Sequence, residues 1–263
     1  LAEAKWPDSP KGRLGAPEAP DVALRGTPSR STLARRFRRE WLASPYPMVV
    51  EHAAGDHRIC AAPSLWMGAR ARALALREAG LGPGHVLAVP LAPGIAFVQW
   101  WVACLRTGVV FAPAADVAHA RAHDDGCLTV VAPLEGSRGG GTGPAALLDD
   151  GPLPVARLEA SLPAGPLVER GAIVFCLGRW RTAAGITGEL LPMLAGGAEL
   201  HVGLTPGATP SLPECRPEVV VGPAEALAAW RRALPELEAS SFWPTESLCS
   251  ACTGPSMTRE IAV

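Results

Sequence analysis

Lysine is almost missing from this 263-residue chain. Of its 24 basic residues only Lys5 and Lys11 are lysines, and both lie in a proline-rich leader. A GC-rich coding sequence would produce the same arginine bias. Whatever its origin, the bias has a chemical consequence, because the planar arginine guanidinium is a poor geometric substitute for the compact lysine ammonium. We therefore expect no reaction that needs a lysine side chain in the folded body.

Charge excess and long apolar runs are missing as well. The formal net charge is −1, whereas strong phosphate-binding proteins carry a basic excess or a basic face, so we expect no nucleic-acid partner. Arg, Gly or Pro interrupts every apolar run before the roughly 18 residues that a membrane-spanning helix needs. Residues 1–26 have no apolar segment typical of a secretory signal. These absences predict a cytoplasmic chain without a membrane span.

Cysteines are few and odd in number, which argues against a disulfide framework. Several lie inside apolar runs, where a free thiol packs as a small hydrophobic group. We expect most of them to be reduced and structural. The seven are Cys60, Cys104, Cys127, Cys176, Cys215, Cys249 and Cys252. The hydrophobic content of 48% is ample for a packed core.

The first regular element predicted is a basic helix. Residues 1–30 contain five prolines and are interpreted as an extended arm. After Ser31, the side chains of Leu33, Phe37 and Trp41 recur every four residues, and arginines occupy the other side of the helix. A basic amphipathic helix could contact a membrane or act as a targeting sequence. Docking of the aromatic stripe on the protein body is the favoured interpretation.

From Pro47 onward the sequence alternates between strand and helix patterns. Short strands are predicted at 48–50 and 57–61, and buried strands at 85–91 and 109–113 flank an apolar helix at 96–107. A second such unit begins at Gly171. We predict an α/β fold of two similar layered subdomains, residues 31–150 and 169–263, with largely parallel sheets flanked by helices. Residues 151–168, rich in proline, are predicted to be a linker.

Four stretches resemble the adenylate-forming ligase superfamily, which includes acyl-CoA synthetases, aryl acid ligases and nonribosomal adenylation domains. Residues 74–89 are similar to the family pattern "lA..L...Gl.pGD.Vav", and residues 93–113 to "n..e.v...lA.lraGav..P". Downstream, residues 182–200 resemble "H..gl...ll.pL..Ga.lv", and residues 216–224 resemble the strand and turn that follow. The order is preserved, so the resemblance covers about residues 31–255. It implies the N-terminal part of the acyl-CoA synthetase-like fold.

The phosphate loop of that family has no counterpart here. In the family, the strand equivalent to residues 172–176 runs into a Ser/Thr/Gly-rich loop ending in Pro-Lys, which holds the ATP phosphates. Here Cys176 is followed by Leu-Gly-Arg-Trp-Arg, and the next matching stretch begins at once. The family's adenine, ribose and magnesium motifs and its C-terminal lysine domain also have no counterpart before Val263. The resemblance therefore implies a shortened and degenerate relative that has no catalytic residues for adenylation and needs no cofactor.

A cleft between the two halves is the expected ligand site, because ligands bind near the carboxyl ends of parallel strands. By resemblance, this cleft would suit an acyl or aryl carboxylate. Arg179 is the candidate cation for a carboxylate or phosphate, although a surface position for Arg179 and Arg181 is an equal alternative. The predicted ligand-binding residues are Cys176, Leu177, Gly178, Arg179, Thr182, Gly185, Gly222 and Pro223.

Other motifs give weaker signals. The glycine-rich residues 136–143 follow a strand, but they lack the Lys-Ser/Thr ending of a phosphate loop and are interpreted as a surface loop. Cys249 and Cys252 form a lone CxxC without a second ligand pair for zinc. His119 and His123 have helical spacing for a weak metal site, but a solvated loop or helix end is favoured. We predict no metal site, and no Gly-x-Ser-x-Gly elbow indicates a hydrolase.

Three functional classes remain open at this point. The favoured one is a noncatalytic accessory protein that binds an acyl group, an acyl carrier protein or a partner enzyme in acyl or secondary metabolism, with homo-oligomerisation also open. The second is an acyl or aryl acid–AMP ligase of the acyl-CoA synthetase type, using ATP or AMP with magnesium, that needs a partner chain or an altered site. The third is a fragment without a small-molecule role.

Overall fold

The computed structural model describes residues 32–53, 56–83, 85–89, 91–113, 129–131, 144–162, 165–178, 180–204 and 216–245. The predicted arm, the glycine-rich residues 136–143, the pair His119 and His123, and the CxxC at 249–252 lie outside these ranges. Among the described residues, no helix is both long and apolar enough to cross a membrane.

The described elements alternate between helix and strand along most of the chain. The helices are α1 (Thr32–Leu42), α2 (Ala62–Glu78), α3 (Ile95–Thr107), α4 (Val155–Ala160), a π-helix (Gly185–Leu190), α5 (Leu191–Gly196), α6 (Ala224–Ala233) and a 3-10 turn (Ala239–Ser241). The strands are β1 (Met48–Ala53), β2 (Asp56–Ala61), β3 (Val86–Ala88), β4 (Val110–Ala112), β5 (Thr129–Val131), β6 (Pro144–Leu148), β7 (Gly151–Pro154), β8 (Ile173–Cys176), β9 (Glu199–Val202), β10 (Val219–Gly222) and β11 (Phe242–Pro244).

The larger sheet has six strands in the order β11-β10-β8-β9-β1-β2. All neighbours in it are parallel except the hairpin of β1 and β2 at one edge. The central strands β8 and β10 are short runs of apolar residues, as expected for strands covered on both faces. The carboxyl ends of β8 and β10 therefore meet at one edge of a buried parallel sheet.

The smaller sheet has five strands in the order β5-β3-β4-β6-β7. Its middle strands β3, β4 and β6 are parallel, and the outer strands β5 and β7 run antiparallel to them. Helix α3 connects β3 to β4 and ends at Gly108, whose φ of +77° is the left-handed conformation that glycine adopts without strain. Both sheets thus confirm the predicted α/β class with largely parallel sheets flanked by helices.

Helix α1 docks on the protein body through its aromatic stripe. Leu33, Phe37 and Trp41 are fully buried, and the Phe37 and Trp41 rings stack with centroids 4.6 Å apart. Phe37 also contacts Trp101 of α3, at 6.2 Å between ring centroids. The favoured interpretation of this helix is confirmed, because its apolar face lies in the main core rather than at the surface.

Two segments differ from the sequence-based division of the chain. Residues 151–168, predicted to be a linker, contain β7 and α4, so that prediction is wrong for the part from Gly151 to Ala160. The hairpin of β1 and β2, assigned to the first subdomain, pairs with β9 in the second. The two prolines of β7 suggested a linker, but proline is compatible with an edge strand that has one unpaired side.

Truncation of the α1 stripe tests the docking directly. Phe37→Ala removes a fully buried ring from the core, so the free energy of unfolding is expected to fall by about 3–5 kcal/mol. The matched control on the same helix is Leu42→Ala, whose side chain is 51% exposed and whose loss is expected to stay within about 0.5 kcal/mol. Urea unfolding followed by circular dichroism measures both; equal losses would contradict docking through Phe37.

Candidate functional site

The carboxyl ends of β8 and β10 lie side by side. Cys176, the last residue of β8, is in parallel register with Val221, and the N–H of Leu177 donates to the Val221 carbonyl at 2.9 Å. Gly222 ends β10, and Pro223 follows as the N-cap of α6. Ligands of open α/β sheets bind at such strand ends. The predicted site residues therefore stand at the position where the fold class places ligands.

Close packing, rather than open space, surrounds these strand ends. A Cβ atom on Gly222 would lie 2.8 Å from the Cβ of Leu177. A Cβ atom on Gly178 would lie 2.0 Å from both carboxylate oxygens of Glu189. Real Cβ contacts are essentially never so short, so a methyl group at either position would displace its neighbour, which is the terminal carboxylate of Glu189 at Gly178 and the side chain of Leu177 at Gly222. The backbone after β8 and β10 is thus in direct contact with neighbouring side chains.

A buried carboxylate occupies the space beside Gly178. Glu189 belongs to the π-helix and is only 1% exposed. The hydroxyl of Thr245 donates a short hydrogen bond to Oε1 of Glu189. Burial raises the pKa of the Cys176 thiol well above its usual range, and the negative charge of Glu189 raises it further. At neutral pH the Cys176 thiol is therefore expected to stay protonated, which disfavours a role as a nucleophile or a metal ligand.

The turn that follows β8 is anchored in the core. Trp180 is fully buried and lies edge-on to the Phe97 ring of α3, with centroids 5.4 Å apart. The N–H of Ala183 donates to both carboxylate oxygens of Asp150, each at 3.0 Å. The N–H of Asp149 donates to the Arg181 carbonyl at 2.8 Å. This turn is therefore held both by α3 and by the turn that connects β6 and β7.

The remaining predicted residues lie around the start of the π-helix. Gly185 is its first residue, and the N–H of Gly185 donates to Oγ1 of Thr182 at 3.1 Å. Arg179 lies outside the described residues. The structure thus brings Cys176, Leu177, Gly178, Gly222 and Pro223 to one pair of strand ends and places Thr182 and Gly185 on the adjoining turn. Binding of a ligand by these residues stays a prediction.

Glu189 and Thr245 are the site residues that sequence reasoning missed. One signal in the sequence points to the first of them, since Glu189 is the only charged residue between Arg181 and Glu199. A single carboxylate in an otherwise apolar stretch is either at the surface or buried with a partner. No comparable signal marks Thr245, because its contact with Glu189 joins residues 56 positions apart.

A second polar cluster crosses the larger sheet. Nε2 of His201 lies 3.0 Å from Oε1 of Glu199, and Nδ1 of His201 lies 2.8 Å from Nε2 of His52. With Nε2–H of His201 donating to Glu199, the His201 Nδ1 accepts from Nε2–H of His52. Within the described part of the chain, no group of three or more His, Cys, Asp or Glu is arranged to hold a metal. The distances make the cluster a hydrogen-bonded chain from His52 through His201 to Glu199.

Burial dominates the proton affinity of this cluster. It lowers the pKa of His201, which is 1% exposed, and the nearby Glu199 only partly opposes that effect. Burial likewise lowers the pKa of His52, and repulsion from His201 and His57 lowers it further. Both imidazoles are thus expected to be neutral in the folded protein at neutral pH, and the hydrogen bond between them requires that Nδ1 of the acceptor, His201, carries no proton.

The histidine chain predicts an acid-sensitive stability. In the unfolded chain, His52 and His201 take up protons near pH 6.5. In the folded protein their pKa values are lowered, so protonation needs a lower pH. The free energy of unfolding is therefore expected to be highest above about pH 6.5 and to fall as the pH drops below it. In His201→Gln the fall should be shallower. Urea unfolding between about pH 8 and pH 5 measures the slope; an unchanged slope in the variant would contradict the assignment.

The glycine at the end of β8 is open to the same kind of test. Gly178→Ala forces a methyl group into the Glu189 carboxylate, and overpacking of this kind is expected to cost about 1–3 kcal/mol. Gly82→Ala is the matched control, because a methyl group at that position would have no atom within 4 Å, and its effect should stay within about 0.5 kcal/mol. Combining Gly178→Ala with Glu189→Ala should cost less than the sum of the single changes. Additive losses would contradict the contact.

Comparison with known proteins gives matches to solved structures alone. No protein-family model matches the chain, and no curated protein sequence matches it. The fatty acyl-adenylate ligase from L. pneumophila, solved with acyl adenylate and pyrophosphate, is 13% identical, with a TM-score of 0.53 over 81% of this chain and 54% of that one. The benzoate CoA ligase from Burkholderia xenovorans LB400 is 18% identical, with a TM-score of 0.55 over 75% and 51%.

A third match is itself an N-terminal piece. The NpsA N-terminal subdomain from Klebsiella oxytoca, solved with 3-hydroxyanthranilyl-AMSN, is 12% identical, with a TM-score of 0.54 over 86% of this chain and 72% of that one. The present chain spans about half the length of the first two proteins. At these identities the likeness concerns the fold. The chain has the fold of the N-terminal part of the acyl- and aryl-adenylate ligases.

Proposed function

We propose that this protein is a noncatalytic accessory protein built on a ligase fold, and that the end of β8 does not hold ATP phosphates. It would act by binding an acyl or aryl carboxylate, an acyl carrier protein or a partner enzyme in acyl or secondary metabolism, without a cofactor. The observation that carries the proposal is the turn after β8, where Trp180 and Glu189 fill the space beside the strand end.

The end of β8 has little open space for phosphate groups. A phosphate site needs several backbone N–H groups that point into open space. After β8 the N–H of Leu177 is already bonded to the Val221 carbonyl, and a methyl group on Gly178 would collide with Glu189. Trp180 then returns the chain to the core within four residues of Cys176. Opening this turn for a triphosphate would expose a buried indole, which costs several kcal/mol of packing.

The charged side chains beside the end of β8 also disfavour a triphosphate. A triphosphate is stabilised by cations, whereas the side chain that contacts Gly178 is a buried carboxylate. Like charges repel strongly where little water screens them. Arg181, a neighbouring cation, lies 3.5 Å from Asp149 and so already has a carboxylate partner. The described surroundings of the β8 end therefore disfavour a polyanion more strongly than a single carboxylate or a neutral, carrier-bound acyl group.

The chemical class of the ligand is inferred from the structural neighbours. The L. pneumophila ligase was solved with an acyl adenylate, and the NpsA subdomain with an aryl analogue, 3-hydroxyanthranilyl-AMSN. A protein that retains their fold without a phosphate site would retain the acyl or aryl part of this recognition. We propose Cys176, Leu177, Gly178, Arg179, Thr182, Gly185, Gly222 and Pro223 as the residues nearest such a ligand, and the cytoplasm as its location.

The alternative is an acid–AMP ligase that works with a partner chain or through an altered site, using ATP and magnesium. Its support is that the matched structures are ligases and that this chain spans about half the length of two of them. The two proposals differ in one measurable property, since a ligase binds a nucleotide and the accessory protein does not.

A thermal-shift experiment distinguishes the two. Specific binding to the folded state raises stability by about 2.7 kcal/mol when the ligand is at 100 times its Kd. We expect no shift with ATP-Mg or AMP at millimolar concentration and a saturable shift with at least one member of a panel of fatty and aromatic acids. Magnesium alone and inorganic tripolyphosphate are the controls for ions and for nonspecific polyanion binding.

Each outcome of the experiment has a fixed meaning. A saturable shift with ATP or AMP that tripolyphosphate does not reproduce would overturn the accessory role and support the ligase. A shift with acids alone would support the accessory role and identify the ligand class. Absence of any shift with acids would remove small carboxylates from the proposal and leave a protein partner as the object of binding.

A further inference from the structure

The solvent side of α1 is a ridge of arginines. Arg35, Arg38 and Arg39 are exposed, and their spacing of three and four residues places them on one face of the helix. The opposite face, with Phe37 and Trp41, is buried in the core. The ridge is therefore held in place by the docking of the helix.

Arginines of two neighbouring helices extend this ridge. Burial lowers the pKa of Arg106 in α3. The positive charges of Arg77 and Arg70 in α2 and of Arg38 in α1 lower it further, so these arginines lie near Arg106. The Arg106 guanidinium lies over the Trp66 ring, 4.3 Å from its centroid, so an aromatic face rather than a carboxylate holds it. We call Arg35, Arg38, Arg39, Arg70, Arg77 and Arg106 the arginine face.

Carboxylates neutralise little of the arginine face. Among the described residues, its one ion pair within 4 Å is between Arg39 and Glu40, at 3.6 Å. Glu40 is shared, because it also pairs with Arg36 at 2.9 Å. The chain as a whole has a formal net charge of −1. Within the described ranges these arginines thus form a local concentration of positive charge, which would favour electrostatic encounter with an acidic partner.

Two grooves run along the ridge. One, of about 500 Å³, is lined by Arg35, Arg38, Arg39, Leu42 and Ala43. The other, of about 370 Å³, shares Arg35 and Arg39 and includes Leu162. Each groove thus combines guanidinium groups with an apolar side chain. Such a lining suits a partner that carries carboxylates beside small apolar groups.

We propose that the arginine face is a docking site for an acidic surface helix of a partner protein. An α-helix that carries Glu or Asp every three or four residues repeats the spacing of Arg35, Arg38 and Arg39, because both helices rise 1.5 Å per residue. Guanidinium and carboxylate match in geometry as two parallel N–H···O bonds. The apolar side chains of the grooves would contact the small residues between the carboxylates.

Two other anionic partners fit less well. An amphipathic helix binds a lipid surface by inserting its apolar face, but the apolar face of α1 is already in the core. Nucleic-acid binders release many counterions and normally carry a net basic charge, whereas this chain is slightly acidic. The inference rests on the proposed function only in that an accessory protein requires a partner. Nucleotide binding at β8 would leave it unchanged.

A labelled peptide serves as the probe. It is an alanine-based helix with glutamate at every fourth position, and peptides with glutamine or lysine in place of glutamate are its controls. Fluorescence anisotropy at low ionic strength measures binding to the full chain. The variant Arg35→Gln/Arg38→Gln/Arg39→Gln removes the ridge. The matched control, Arg216→Gln/Arg231→Gln/Arg232→Gln, removes the same charge from exposed arginines before β10 and on α6.

The expected result is saturable binding of the glutamate peptide that weakens with added salt. The ridge variant should lose at least about tenfold in affinity and the control variant less than about twofold. Equal losses in the two variants, equal binding of the glutamine peptide, or no binding up to about 1 mM would overturn the proposal. Tighter binding to phosphatidylserine vesicles or to duplex DNA, lost in the ridge variant, would overturn the assignment of a protein partner.

Discussion

Burial of Trp180 is the constraint on which the rest of the β8 region depends. The indole lies against Phe97 of α3, and the next residues are held by the Asp150 carboxylate at the turn between β6 and β7. The chain leaving β8 must therefore return to the core at once. It follows that Gly178 passes directly over Glu189 and that the π-helix starts within ten residues of the strand. An open loop and this anchoring are mutually exclusive.

The hairpin of β1 and β2 joins the N-terminal part of the described chain to the larger sheet. It precedes every strand of the smaller sheet in sequence, yet it completes the larger sheet by pairing with β9. The hydrogen bond between His52 and His201 joins residues 149 positions apart at the same junction. Pairing across so long a separation carries a loop-closure cost in entropy, and formation of the smaller sheet and its helices would reduce that cost by shortening the intervening chain.

The fold could be predicted from the apolar patterns of the sequence. Features that depend on contacts between distant residues could not. Apolar runs such as residues 173–176 and 219–222 indicated buried parallel strands, and the stripe of Leu33, Phe37 and Trp41 indicated a docked helix. The strand β7 was missed because proline signals outweighed a short edge strand. At the site, ligand binding at the ends of β8 and β10 stays a prediction, and periodicity carries no information on a side chain such as Glu189 that reaches its partner across the fold.

The packed turn after β8 also limits how the chain can change. A longer loop there would displace Trp180 from Phe97, and a phosphate beside Gly178 would meet the carboxylate of Glu189. Loss of the Trp180 packing alone would remove a large part of the small net stability of a natural domain. Stepwise mutation from this sequence towards nucleotide chemistry would therefore begin with a loss of stability, which favours retention of the closed turn.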